Sequence, residues 1–198
     1  TAKLVADLLS ASGLNRILTM ELHAGQIQGY FDIPVDNLYS SGALCSYVER
    51  TTMGEALVVV SPDAGGVERA RAYAKRLNAS LAIIDKRREK ANVSEVMHLI
   101  GDVNGKTAIL VDDMVDTAGT LTKAARAVIE HGARKVYGIC THAVLSGAAV
   151  DRIANSPIES MIVTDSIPLS PAAAAGSKIK GVRVAELIGK AIRAPPHT

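Results

Sequence analysis

Short apolar runs recur along this chain with amphipathic stretches between them, and that alternation restricts the folds open to it. The runs are Ile17–Met20, Leu57–Val60, Leu81–Ile84, Ala108–Val111, Val136–Cys140 and Met161–Val163. Such brief, largely apolar runs read as strands buried on both faces. Between them Val67, Ala70, Ala74 and Leu77 share one helical face. Leu121, Ala124, Ala125, Val128 and Ile129 share another, with Gly132 placed to end that helix. Further helices are expected at Ala2–Leu9, around Leu44–Arg50, at Ala148–Ala154 and at Ala185–Ile192. Strand and helix in repeated succession predict an α/β fold, a parallel sheet with helices on both faces.

With 198 residues, 48% of them hydrophobic, the chain has enough apolar surface for a proper core. Aromatic residues make up only 3%, with no Trp, which leaves no stacking platform for single-stranded nucleic acid. A net charge of +2 is too small to argue for a nucleic-acid or membrane-surface partner. No signal pattern and no apolar stretch of spanning length is present, so the expected location is cytoplasmic. Cys45 and Cys140 then read as reduced packing residues. Gln26–Leu38 interrupts the alternation and is expected to connect two domains; Pro171–Ala175 is expected to be a surface loop.

Parallel sheets collect ligands beyond the carboxyl ends of their strands. Every strand end carries polar residues: Glu21-Leu22-His23, Ser61-Pro62-Asp63, Asp85–Arg88, Asp112-Asp113, Thr141-His142 and Thr164-Asp165. The most informative of these segments is Val111–Thr120, V-D-D-M-V-D-T-A-G-T. Adjacent carboxylates ending a buried strand can accept hydrogen bonds from vicinal hydroxyls. Asp116, Thr117, Ala118, Gly119 and Thr120 form a small-residue turn opening a helix, whose backbone N–H groups suit a phosphate. Asp116 itself would repel a phosphate, so its side chain is expected to bond local backbone. Ser61–Gly66 is a second turn into a helix, with two glycines that let a backbone approach an anion. Taken alone, Lys86-Arg87-Arg88-Glu89-Lys90 reads better as a solvated charge run; its place after a strand on the ligand side offers the alternative of a clamp over polyphosphate. Gly101–Thr107 imitates a P-loop, but it has one residue too few between its glycines and precedes a strand instead of following one. It reads as a turn. From chemistry alone, His23 and His142 read as structural, since Mg²⁺ prefers oxygen ligands.

Together these segments resemble the ribose-phosphate diphosphokinase (PRPP synthetase) family. Val111–Thr120 is similar to that family's PRPP-binding loop, and Ser61–Gly66 to its S-P-D-A-G-G segment. Glu21–Asn37 is similar to its D-L-H-x-x-Q-I-Q-G-F-F-D-I-P-V-D-N signature, with Glu21, Gly25 and Tyr30 as departures. Asp85–Asn92 is similar to its catalytic loop, and the likeness runs from Ala2 to about Arg193. It implies a type I phosphoribosyltransferase fold and transfer of the diphosphoryl group of ATP to ribose 5-phosphate, giving PRPP and AMP for nucleotide biosynthesis. It also implies residue roles. Lys86 and Arg88 would be catalytic, Asp112 and Asp113 would hold ribose hydroxyls, and Asp116–Thr120 would cradle the 5-phosphate. His23 and Asp63 would hold Mg²⁺, reversing the structural reading of His23. The implied assembly is a homo-oligomer, a hexamer in the family.

The family has two similar domains, the upstream one holding most adenine-binding residues. The resemblance therefore divides this chain into residues 1–39, the end of an upstream domain, residues 40–193, a phosphoribosyltransferase-like domain, and a frayed tail, 194–198. The first residue is Thr, not Met, and the chain reads as cut. Two other readings stay open: a phosphoribosyltransferase that consumes PRPP, and a non-catalytic subunit associated with a synthetase.

Overall fold

A computed structural model describes residues 1–87 and 96–194, with backbone only at Lys86, Arg87 and Val96. Its elements begin α1 (Ala2–Ala11), β1 (Ile17–Met20), a 3₁₀ turn (Gly25–Tyr30), β2 (Val35–Leu38), α2 (Ser41–Thr51), β3 (Leu57–Ser61) and α3 (Val67–Arg76). They continue with β4 (Ser80–Arg87), β5 (Val96–Ile100), β6 (Thr107–Val115), α4 (Gly119–Glu130) and β7 (Lys135–Ala143). The last are α5 (Ala149–Ala154), β8 (Ile158–Thr164), α6 (Pro171–Ala175), β9 (Ile179–Val182) and α7 (Ala185–Arg193).

The chain divides into two units. The larger, Ser41–Val182, holds a seven-stranded sheet in the order β5-β4-β3-β6-β7-β8-β9. Every pairing in it is parallel except β4 with β5. Successive strand side chains point to opposite faces, so each apolar run feeds two cores. Val58, Val60, Leu110, Val136 and Cys140 pack with Leu121, Ala125 and Val128 of α4. Val59, Ile109, Val111 and Ile139 pack on the other face with Leu44 and Val48 of α2 and Ala70, Tyr73 and Ala74 of α3. That two-sided burial is why the runs lack polar alternation. Both cysteines are buried and unpaired with each other, and burial pushes the Cys45 thiol up to about 11.

The smaller unit comprises Thr1–Ser40 and the segment from Arg183 onward. It carries the parallel pair β1–β2. Arg16 ties it together, its Nε 2.6 Å from Asp36 Oδ2 while Nη1 and Nη2 donate to the carbonyls of Ala194 and Ala191 at 2.9 and 3.4 Å. A guanidinium at the carbonyl end of α7 is favourably placed. The helix at Ala185–Arg193, assigned by sequence to the larger part, therefore groups with the N-terminal segment. Ala194 is the only residue of the expected frayed tail among the described residues.

Other differences have local causes. Gln26–Leu38 is not a connector: it supplies the 3₁₀ turn and β2, whose V-D-N-L sequence is too polar to announce a strand. β5 and β9 are short edge strands interrupted by His98 and by Lys180-Gly181. Pro171–Ala175 is a helix, started by Pro at its first positions with the Ser170 side chain accepting from Ala173 N.

The P-loop imitation is a turn, as its position before a strand required. Lys106 Nζ is held at 3.0 Å by both the Asp102 carboxylate and the Asp102 carbonyl. Gly101 has φ +112°, and a Cβ there would lie 2.9 Å from the Leu81 carbonyl oxygen; Gly105 has φ +70° and open space. Gly105→Ala should therefore cost about 1–2 kcal/mol from backbone strain alone, and Gly101→Ala at least twice the Gly105→Ala loss. Urea denaturation of the two variants checks this, and equal losses would contradict the turn geometry.

Candidate functional site

Strand order sets the location. From β3 the sheet grows through α3 to β4 on one side, while β6 pairs with β3 on the other, Val60 opposite Leu110. The connections diverge between β3 and β6, which opens a crevice at their carboxyl ends. The turn Ser61–Gly66, and the end of β6 with the turn that follows it into α4, lie at that crevice. β4 ends on the same edge, since Ser61 pairs with Ile83 and Asp85 lies two residues further along.

β6 does not stop at Val111. It runs on to Val115, so Asp112 and Asp113 are strand residues, paired into β7 at Asp112–Cys140. The Asp113 side chain is 3% exposed and that of Asp112 26%. Asp112 Oδ1 accepts from the Asp113 backbone N–H at 2.9 Å. Arg69, in the first turn of α3, places Nη1 3.4 Å from Asp113 Oδ1 and 3.8 Å from Asp112 Oδ1. Burial, then the hydrogen bond and negative charge of Asp113, push the Asp112 carboxyl up to about 7, while Arg69 and the Asp113 N–H act the other way. The titration belongs to the pair, which retains a proton far above the normal carboxylate range.

Beyond the acids the chain turns sharply into α4. Ala118, the residue before the helix, has φ 59° and ψ 8°, a left-handed conformation that is strained for a residue with a Cβ. Contacts from the loop after β7 hold it there. Ser146 Oγ donates to the Asp116 carboxylate, Ser146 N–H donates to the Asp116 carbonyl at 3.0 Å, and Leu145 N–H donates to Val115 O at 3.0 Å. Arg152 Nη1 in α5 donates to the Thr117 carbonyl at 2.8 Å. The Asp116 carboxylate thus bonds a hydroxyl from a neighbouring loop, whereas the sequence suggested local backbone. The first turn of α4 has no side-chain cap and no acidic residue. Its N–H groups have no intrahelical acceptors, and Thr117 and Thr120 beside them are exposed.

At the other loop, Ser61 Oγ donates to the Asp63 carbonyl at 2.7 Å, and Asp63 Oδ1 accepts from Gly66 N–H at 3.0 Å. A Cβ on Gly66 would lie 2.9 Å from Ser61 Oγ, so a side chain there would displace the hydroxyl that bonds the Asp63 carbonyl.

The remaining sequence candidates are placed as follows. Lys86 is a backbone position in β4 opposite Met97, and Arg88 lies outside the described residues. His23 is an exposed residue of the smaller unit, just after Glu21, whose buried carboxylate accepts from Ser40 Oγ at 3.0 Å. His142 Nδ1 lies 3.0 Å from Ser166 Oγ. Asp112, Asp113, Asp63 and Asp116–Thr120 are all residues of the larger unit at the strand ends. The sequence reading missed Arg69, Ser146 and Arg152. A signal for Arg69 existed: an arginine three residues after Gly66, in a helix whose neighbouring positions Ala70 and Tyr73 face the sheet.

Residues 89–197 match the phosphoribosyl synthetase-associated domain family, more than half of the chain. The chain belongs to that family. A ribose-phosphate pyrophosphokinase of Bordetella pertussis is 57% identical over 192 residues, 97% of this chain and 62% of that protein. One from Caldanaerobacter subterraneus is 57% identical over 192 residues, 97% of this chain and 60% of its own length. A crystal structure of phosphoribosylpyrophosphate synthetase from Mycobacterium smegmatis superposes with a TM-score of 0.90 at 40% identity, over 98% of this chain and 62% of that one. The chain thus spans about six-tenths of the length of these relatives.

The acid pair gives this family member a pH signature. A carboxyl whose pKa is raised on folding makes the folded state progressively less stable as pH climbs from its unfolded value to its folded one. That window runs from about 4 to about 7 for Asp112. Asp112→Asn should remove the loss, so its melting temperature relative to the unaltered chain rises across the window and is level above it. Thermal melts at successive pH values check this; a difference that does not change with pH would contradict the shared proton.

Proposed function

We propose that this chain is the ribose-phosphate half of a ribose-phosphate diphosphokinase, which transfers the diphosphoryl group of ATP to ribose 5-phosphate. The observation carrying the reading is the juxtaposition, at one crossover, of a buried acid pair with an uncapped helix start. The acids accept hydrogen bonds from vicinal ribose hydroxyls. The first-turn N–H groups of α4, with the hydroxyls of Thr117 and Thr120, receive the 5-phosphate. Asp116 is kept off that phosphate by Ser146. One short molecule reaching from β6 to α4 is held at both ends, which sets its C1 hydroxyl.

The reaction forms a bond between the C1 oxygen and the β-phosphorus of ATP and breaks the bridge to the α-phosphate. AMP leaves and the hydroxyl proton passes to solvent or base. Transfers of this type depend on positioning and charge neutralisation, which is the role we assign to Lys86 and Arg88. Mg²⁺ would neutralise the polyphosphate. Asp63 suits it as a hard oxygen donor already fixed by Gly66 N–H. Mg²⁺ takes one or two protein ligands and fills its shell with phosphates and water.

The assembly proposed is a homo-oligomer, and the location cytoplasmic. No helix among the described residues is long and apolar enough to cross a membrane.

The test is AMP release from ATP and Mg²⁺, with and without ribose 5-phosphate, by the longest protein in which this chain occurs. AMP release that requires ribose 5-phosphate and is matched by PRPP is expected. Consumption of PRPP on addition of a nucleobase, without AMP release, would replace this reading with a phosphoribosyltransferase. No turnover, with binding to an active synthetase, would make the chain a regulatory subunit.

A further inference from the structure

Arg69 has no role in the reading above, yet it stands where the two loops meet. Its side chain is 21% exposed, and Nη1 lies within ion-pair distance of both Asp112 and Asp113. The same nitrogen is 3.9 Å from the point that a Cβ on Gly66 would occupy, a point also 3.7 Å from Asp63 Oδ1. The guanidinium therefore sits between the Ser61–Gly66 turn and the acid pair, on a helix whose neighbouring residues Ala70 and Tyr73 are buried. A cation this little exposed needs compensating charge, and the proposed diol acceptors lie within ion-pair distance to supply it.

We infer that Arg69 is a positioning residue for sugar recognition, holding the Asp112 and Asp113 carboxylates in a fixed, charge-compensated arrangement toward the crevice. This rests on the ribose-phosphate reading. Two carboxylates side by side repel one another and rotate apart when ionised; a planar cation shared between them offsets one charge and fixes their orientation. Ribose hydroxyls then meet acceptors already aimed. The phosphate cradle at α4 is held separately by Ser146 and Arg152, so Arg69 should matter for the sugar end and not for the phosphate end.

That asymmetry is the test. The chain is titrated with ribose 5-phosphate and, separately, with inorganic phosphate, followed by amide NMR, for wild type, Arg69→Met and Arg69→Lys. Expected is a loss of about tenfold or more in ribose 5-phosphate affinity for R69M, phosphate affinity within about twofold of wild type, and R69K recovering most of the loss. Thermal melts establish folding, and R69Q replaces R69M if the latter does not fold. R69M binding ribose 5-phosphate as wild type does would overturn the role. So would equal loss of both ligands with no rescue by R69K, the result of a purely structural arginine. Wild type that binds phosphate but shows no preference for ribose 5-phosphate would instead overturn the functional reading itself.

Discussion

Two carboxylates in the second half of a central strand are the constraint to which the surrounding structure answers. Asp113 is almost fully buried, and Asp112 is partly so. A buried charge pair contributes little net stability, but removing its counter-ion leaves an expensive uncompensated charge. The protein handles this in two ways. Arg69 supplies a cation from the first turn of α3, and the acids together retain a proton to unusually high pH. The first depends on β3 and β6 being adjacent, because that pairing brings the start of α3 beside the end of β6. The strand order is thus a condition of the acid pair.

A second strained feature follows directly. After Val115 the chain must reverse into α4, and it does so through Ala118 in the left-handed region, a conformation that costs about 1–3 kcal/mol for a residue with a side chain. Thr122 Oγ1 donates to the Ala118 carbonyl at 2.8 Å, and Ser146 and Arg152 secure the residues before it. Strain held by contacts from three directions fixes the loop before any ligand arrives. Such preorganisation leaves the helix N–H groups aligned, so binding an anion requires little rearrangement.

The interior strands were legible because each is buried on both faces and so is uniformly apolar. Val58–Val60 and Ala108–Val111 could be nothing else at that length. Edge strands carry no such signal: β2 reads V-D-N-L and β9 I-K-G-V, and both owe their pairing to a neighbour, not to their own pattern. Likewise α6 was hidden by its alanine repetition, although Ser170-Pro171 is a recognisable helix start. At the site, Asp112, Asp113 and the small-residue turn stood out as a contiguous string. Arg69, Ser146 and Arg152 did not, since each reaches the site from a different element and only the folded chain brings them there.

The central claim is that the crossover between β3 and β6 receives a sugar phosphate, hydroxyls on the acids and phosphate on the start of α4. The most direct measurement is a crystal structure of the chain with ribose 5-phosphate. The account predicts the phosphate against the N–H groups of Gly119, Thr120 and Leu121, and ribose hydroxyls within hydrogen-bond distance of Asp112 and Asp113. A ligand bound elsewhere, or one bound in the crevice with its phosphate against the Ser61–Gly66 turn and its hydroxyls turned from the acids, would contradict it.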